Sequence, residues 1–281
     1  MVMKVGVYNL EGKRIKEIEL PEFFESEIRP DLIMRAVLAI RTKRLQPKGK
    51  SLVAGRDYTV YNLGKGYDRA RVARIFDGLG PAKKVAQAVG GLRVRAPTSK
   101  KVIVEEINKK EKFVALISAI AATADPVLVQ MRGHECSRIR EVPIVVVDDF
   151  EKLSKTKDVR NVLKKLGVWK DVDLAQDKKR VRSGKGKMRG RKYKRKKGPL
   201  IVVSGKNEEI ILAARNLEGV DVVPVDKLSV EHFAPGGHPG RLAVFTESAL
   251  KLLKERIKRQ FNHLWNKGRG VPEEVAKAIG S

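Results

Sequence analysis

One cysteine, Cys136, stands among 281 residues, and only four histidines accompany it. That count excludes an internal disulfide framework and the cysteine-rich zinc patterns, and it suits a reducing compartment. Long apolar runs are also missing. The longest, around Val114 to Ala122, is too short to cross a bilayer, and the first residues lack the apolar stretch of a secretion signal. A soluble, cytoplasmic protein with no membrane partner is expected. Negative charge is the most unevenly missing ingredient. Between Arg41 and Lys101 three Asp and no Glu face 16 Lys and Arg, and between Lys178 and Lys197 no acid at all faces 13 cations in 20 residues. Each stretch therefore carries a net +13, which is nearly all of the +27 of the whole chain.

Such concentrated positive charge calls for a polyanion, and RNA is the natural one. The rest of the chain is close to neutral, and with 42% hydrophobic residues overall it has the means to bury a full core. The expected layout is one α/β domain built from residues 1–40 and 102–260. Residues 41–101 form a long basic insertion, 178–198 a basic surface segment and 261–281 a flexible tail.

The pattern along the domain supports that class. Val5 to Leu10 and Ile15 to Leu20 read as a hairpin around Glu11-Gly12. Leu32, Ile33, Ala36, Val37 and Ile40 recur at helical spacing behind Asp31, and Phe113, Leu116, Ile117 and Ile120 do so ahead of a stop at Pro126. Four β-branched runs follow, at 143–147, 199–203, 220–223 and 241–245, with helical stretches at 159–166, 208–217 and 247–259. Apolar strands without alternation, separated by helices, predict a mostly parallel sheet covered on both faces, a Rossmann-like layering with a long extended internal loop.

The insertion has eight glycines and three prolines and no sustained apolar repeat. A structureless stretch of that length inside a compact domain needs another molecule to order it. Two extended legs of roughly 30 residues, at about 3.3 Å each, reach on the order of 100 Å. Tyr58, Tyr61, Tyr67 and Phe76 sit among its arginines, where they suit stacking on unpaired bases; a small internal hydrophobic cluster is the plainer alternative. The candidate RNA-binding residues here are Arg41, Lys43, Arg44, Lys48, Lys50, Arg56, Tyr58, Lys65, Arg69, Arg71, Arg74, Lys83, Lys84, Arg93, Arg95, Lys100 and Lys101. In the second run they are Arg182, Lys185, Lys187, Arg189, Arg191, Lys192, Tyr193, Lys194, Arg195 and Lys196.

Enzyme signatures are weak by comparison. Gly184 to Gly190 is spaced one residue too long for a dinucleotide fingerprint and precedes a strand instead of following one. Gly198 to Lys206 fails as a phosphate loop on spacing and on Asn207. Asp148-Asp149 ends a predicted strand, where a metal or general base is conceivable, but pairing with nearby cations or starting a turn is the simpler role. His134-Glu135-Cys136 lacks the geometry for a nucleophile and its base, and His232 and His238 flank a glycine-rich turn without further ligands. No catalytic residue, cofactor, metal or small-molecule substrate is expected. An RNA-modifying α/β enzyme, such as a methyltransferase acting on ribosomal RNA, stands as the competing function.

A set of blocks in order carries a family resemblance. Ala119-Ile-Ala-Ala-Thr-Ala-Asp125, Arg132-Gly-His-Glu135, Glu141-Val-Pro-Ile-Val-Val-Val-Asp-Asp-Phe150, Arg189-Gly-Arg-Lys-Tyr193, Ala213-Ala-Arg-Asn-Leu217, Ala234-Pro-Gly-Gly237 and Gly240-Arg-Leu-Ala-Val-Phe-Thr-Glu-Ser248 resemble large-subunit ribosomal protein four in its archaeal and eukaryotic form. The likeness spans residues 3 to 258. It implies a structural, non-catalytic protein with an α/β domain on the subunit surface and a long loop threaded through large-subunit ribosomal RNA. The tip of that loop would lie at the narrow part of the peptide exit tunnel beside large-subunit protein twenty-two. Pro81-Ala-Lys-Lys-Val-Ala-Gln-Ala-Val89 matches best within the insertion, so the distal loop is expected between Gly64 and Val89. Arg69, Arg71, Arg74, Lys83 and Lys84 are then the candidate tunnel-proximal residues. The segment 56–66 has fewer glycines than the family pattern, and nothing in 261–281 resembles it.

Overall fold

Two strands, β1 (Lys4–Tyr8) and β2 (Arg14–Glu19), open the chain as an antiparallel hairpin. Its turn depends on Gly12, whose φ is +78° and where an added Cβ would lie 2.8 Å from the carbonyl oxygen of Lys165. The computed structural model describes residues 3–205 and 209–265 and divides into two compact units. Met1–Ile40 with Glu106–Ser281 makes one unit, and Arg41–Glu105 makes the other.

Within the first unit the remaining strands are β3 (Ile144–Val146), a two-stranded ribbon of β4 (Arg180–Val181) and β5 (Tyr193–Lys194), then β6 (Leu200–Val203), β7 (Asp221–Pro224) and β8 (Ala243–Thr246). The main sheet runs β2-β1-β3-β8-β6-β7, and every pairing except β1 with β2 is parallel. The expected α/β class with a mostly parallel sheet is the observed one. The described α-helices are α1 (Pro30–Thr42), α2 (Lys109–Ala121), α3 (Pro126–Met131), α4 (Thr156–Lys165), α5 (Trp169–Asp177), α6 (Glu209–Ala214), α7 (Val230–Phe233) and α8 (Glu247–Trp265).

Strand residues alternate between two hydrophobic clusters. Val7, Val145, Val202 and Phe245 pack with Ile33 and Val37 of α1, Phe113 and Ile117 of α2, and Leu253 and Ile257 of α8. Tyr8, Val146, Ile201 and Val244 pack with Val159 and Leu163 of α4, Val172 of α5 and Ile210 of α6. With both faces buried, these strands need apolar side chains at consecutive positions, which is why they lack polar alternation in the sequence. The exposed edge belongs to β2, where Arg14, Lys16, Glu17 and Glu19 discourage further strand pairing.

Three local readings change. Pro126 does not simply end a helix: α2 stops at Ala121, and Pro126 begins α3, whose first amides are capped by the Asp125 carboxylate at 2.9 and 3.4 Å. Helix α5 and the ribbon β4–β5 were not anticipated. The chain from Phe261 to Trp265 is not a flexible tail but the last turn of α8, with Trp265 buried and its ring 5.0 Å from Phe261 and 5.6 Å from Phe113. The remainder of that expected tail, 266–281, lies outside the described residues.

Candidate nucleic-acid interface

The Arg41–Glu105 unit has no hydrophobic core of its own: no hydrophobic side chain between Ala39 and Phe113 is buried. Two legs run side by side, with the Glu105 amide donating to Thr42 Oγ1 at 3.1 Å and the Lys50 amide to the Pro97 carbonyl at 3.0 Å. A Cβ on Gly55 would meet the Gly91 carbonyl at 2.4 Å, so the backbones touch where the legs converge. Lower down they enclose a cleft of about 1170 Å³ edged by Lys48, Arg93, Arg95, Lys100 and Lys101.

Beyond Gly55 and Gly91 the chain folds into a small head. Arg74 bridges Tyr61 on one side and Ala82 on the other, with reciprocal amide bonds to Tyr61 of 2.8 and 2.9 Å. Three of the five expected tunnel-proximal cations stitch this head together. Arg69 donates to the Leu79 carbonyl at 2.7 Å, Arg74 to Gly80 at 3.3 Å and Lys83 to Val89 at 2.9 Å, with Lys83 also lying over the Tyr58 ring. Arg71 and Lys84 are exposed and have no such internal role. Every other Lys and Arg from Arg41 to Lys101 is exposed, save the half-buried Arg74 and Lys83. Tyr58, Tyr61, Tyr67 and Phe76 are 40 to 73% exposed and form no ring pair with one another, so they do not make a buried internal hydrophobic cluster.

The second basic run follows α5 and folds as the β4–β5 ribbon, with Arg180 opposite Lys194 and Val181 opposite Tyr193. Gly184 and Gly190 adopt φ of +80° and +73° at its turns, and a Cβ at either would meet nothing within 4 Å. Lys185, Lys187, Arg189, Arg191, Lys192 and Lys194 are exposed, as is Arg182, which also donates to the Arg191 carbonyl. Lys179 and Lys192 flank the Tyr193 ring at 4.9 and 5.5 Å.

Two members of the candidate set pair with acids of the domain. Lys196, only 15% exposed, puts its Nζ 2.6 Å from the fully buried Asp171. Arg195 lies 3.1 Å from one Glu218 oxygen, within ion-pair range though not aligned as a hydrogen bond, and Lys179 holds the other at 2.8 Å. Asp171, Glu218 and Asp221 were missed because single acids on ordinary helices and strands carry no spacing signal. The one available hint was that a dense cationic run beside a folded domain needs carboxylates to sit on.

Burial alone would raise the Asp171 pKa, but the hydrogen bonds from His134 at 2.8 Å and from Lys196 outweigh it and hold the carboxyl below its ordinary value. For His134 burial wins over the Asp171 hydrogen bond and lowers its pKa, which leaves a neutral ring that donates from Nδ1. Its Nε2 is buried with no partner, a place where an added proton would be costly. Burial also raises the Cys136 thiol, so this corner offers no reactive thiolate.

At the carboxyl ends of the parallel strands, where open α/β sheets hold ligands, the described acids pair with neighbouring residues of the chain. Glu151 accepts from the Ser204 amide and hydroxyl at 2.7 and 2.5 Å and from Thr246 at 2.6 Å. Asp148 caps α8 through Ser248 at 2.8 and 2.5 Å, and Asp149 pairs with Lys152 at 2.7 Å. His232 closes a capping box with Ser229, and the His238 carbonyl receives Arg132, whose pKa burial lowers to about 10. Gly198 offers its carbonyl to Arg241, while Lys206 and Asn207 lie outside the described residues. Among the described residues no group of three or more His, Cys, Asp or Glu is placed to hold a metal, and no helix is long and apolar enough to cross a membrane.

Comparison with known proteins agrees with the blocks in the sequence. The model of the ribosomal protein L4/L1 family matches residues 18–256. A "Large ribosomal subunit protein uL4" of Methanocaldococcus jannaschii is 52% identical over 91% of this chain and 100% of its own length. Proteins of the same name from Sulfolobus acidocaldarius and Methanopyrus kandleri are 46 and 47% identical over 92 and 91% of this chain, and over 97 and 99% of their own lengths. The chain therefore belongs to the ribosomal protein L4/L1 family, whose members are structural, non-enzymatic proteins of the large ribosomal subunit.

Proposed function

We propose that this chain binds large-subunit ribosomal RNA through two surfaces, the Arg41–Lys101 segment and the tip of the β4–β5 ribbon. The observation that carries this reading is the coreless Arg41–Glu105 unit. A segment with 16 cations and no buried hydrophobic side chain gains little from packing on itself, and neutralising phosphates supplies the missing stabilisation. The paired legs and small head act as a long internal loop running through folded RNA. Exposed Arg71 and Lys84, with Tyr67 and Phe76, face RNA or the peptide exit tunnel near large-subunit protein twenty-two. Arg69, Arg74 and Lys83 keep the head in shape. The domain that carries the loop is read as a Rossmann-like sheet covered on both faces, with its ligand crevice closed by Glu151, so the domain serves as a platform and the methyltransferase alternative finds no support.

Filter binding of the full chain to a large-subunit ribosomal RNA transcript at rising salt tests the proposal. Affinity should fall with a log–log slope of about −0.7 to −0.9 per phosphate contact. The double variant R71Q/K84Q should make the slope shallower without changing the thermal unfolding of the chain. Binding that does not respond to salt would refute the reading.

A further inference from the structure

Nine of the 13 cations between Lys178 and Lys197 fall into two classes. Four at the base of the ribbon are tied to three carboxylates of the domain: Lys179 and Arg195 to Glu218, Lys196 to Asp171, and Lys197 to Asp221 at 2.9 Å. These acids come from α5, from the turn after α6 and from the start of β7, so three separate elements hold one ribbon. The strongest tie is the most buried. Asp171 has no exposed side-chain surface and also receives His134, so a phosphate that drew Lys196 away would leave a buried carboxylate without its cation.

The tip is built differently. Lys185, Lys187, Arg189, Arg191 and Lys192 have no carboxylate within ion-pair distance among the described residues, and open glycines at 184 and 190 let the backbone come close to a ligand. The turn is closed by its own bonds, with the Arg182 amide to Lys192 at 2.8 Å and the Arg191 amide to Gly186 at 3.2 Å.

We propose that Asp171, Glu218 and Asp221 are positioning residues that clamp the ribbon before RNA arrives. Lys185, Lys187, Arg189, Arg191 and Lys192 then make its phosphate contacts, whereas Lys179, Arg195, Lys196 and Lys197 make none. This rests on the RNA-binding reading above and divides a uniformly basic run into grip and anchor. Clamping removes ordering entropy from the binding step, which is the advantage of a preformed ribbon over a disordered basic arm.

Salt dependence separates the two classes, because only a cation that displaces counterions from RNA contributes to the slope. The full chain is titrated with the same ribosomal RNA transcript as wild type, as the tip variant K187Q/R191Q and as the base variant K179Q/R195Q, each variant losing two charges. The tip variant should make the log–log slope shallower by roughly 1.4 to 1.8, while the base variant should leave it unchanged. A third variant, D171N, should weaken binding at constant slope and speed trypsin cleavage within residues 182–192, with circular dichroism confirming that the domain remains folded. Should D171N unfold, the tip and base comparison still decides. Equal slope changes in the two charge variants, or none in the tip variant while the wild type remains salt-sensitive, would overturn the division. A salt-insensitive wild type would instead remove the RNA reading itself.

Discussion

The guanidinium of Arg241, fully buried at the entry to β8, donates to the Asp221 carboxylate of β7 at 2.7 Å. It also reaches the Gly198 carbonyl at 2.9 Å and the His232 carbonyl at 2.8 Å, so one side chain joins the approach to β6, the start of β7 and α7. Burial lowers its pKa, and the Asp221 carboxylate opposes that shift.

Replacing Arg241 by Met should cost the folded domain about 3 kcal/mol, the low end for breaking a buried pair, because Lys197 remains to balance Asp221. R241K should recover only part of the loss, since an ammonium lacks the planar fork that serves these separate acceptors at once. Urea unfolding followed by circular dichroism measures both, and a stability for R241M equal to wild type would remove Arg241 from this structural role.

His134 gives the protein a defined response to mild acid. Its folded pKa is lowered from 6.5 by burial, so below that value the unfolded chain binds a proton that the folded ring refuses. The associated stability is complete above pH 6.5 and is lost as pH falls towards the folded pKa. Asp171, also lowered, retains its contribution until the pH drops below the ordinary carboxyl value of 3.8. Unfolding free energy measured between pH 7.5 and 5 should decline less steeply in H134Q than in wild type. An identical decline would show that His134 titrates normally.

The end of α8 should be part of the cooperative domain. Trp265, 6% exposed, packs on Phe113 and Phe261 with Lys110 over its ring at 5.0 Å. Truncation to Ala should cost about 3 kcal/mol, near the lower end for a large aromatic because a helix end relaxes into the space. Chemical denaturation provides the measurement, and a loss under about 0.5 kcal/mol would mean the last turn frays independently.

The parallel strands were legible because burial on both faces leaves consecutive apolar residues, as at Leu200 to Val203, and because helical periodicity marks α1 and α2 before β3 and α8 after β8. The ribbon was hidden for the opposite reason. Its strands are two residues long and exposed, and they hold together through glycine turns and distant acids, none of which has a period. The end of α8 was misread because Phe261 and Trp265 gain their burial from Phe113, a partner far away in sequence.

Composition and local pattern by themselves determined the class of fold, the two cationic segments and the polyanionic character of the partner, since each follows from residue types counted over short windows. Which cation serves the interior and which faces outward was decided only by tertiary structure. Lys196 and Arg191 carry the same charge five residues apart, yet only Lys196 lies beside a buried carboxylate, which α5 brings there. Electrostatic pairing is set by distance in space and by access to water, and the linear sequence specifies neither until the chain has folded.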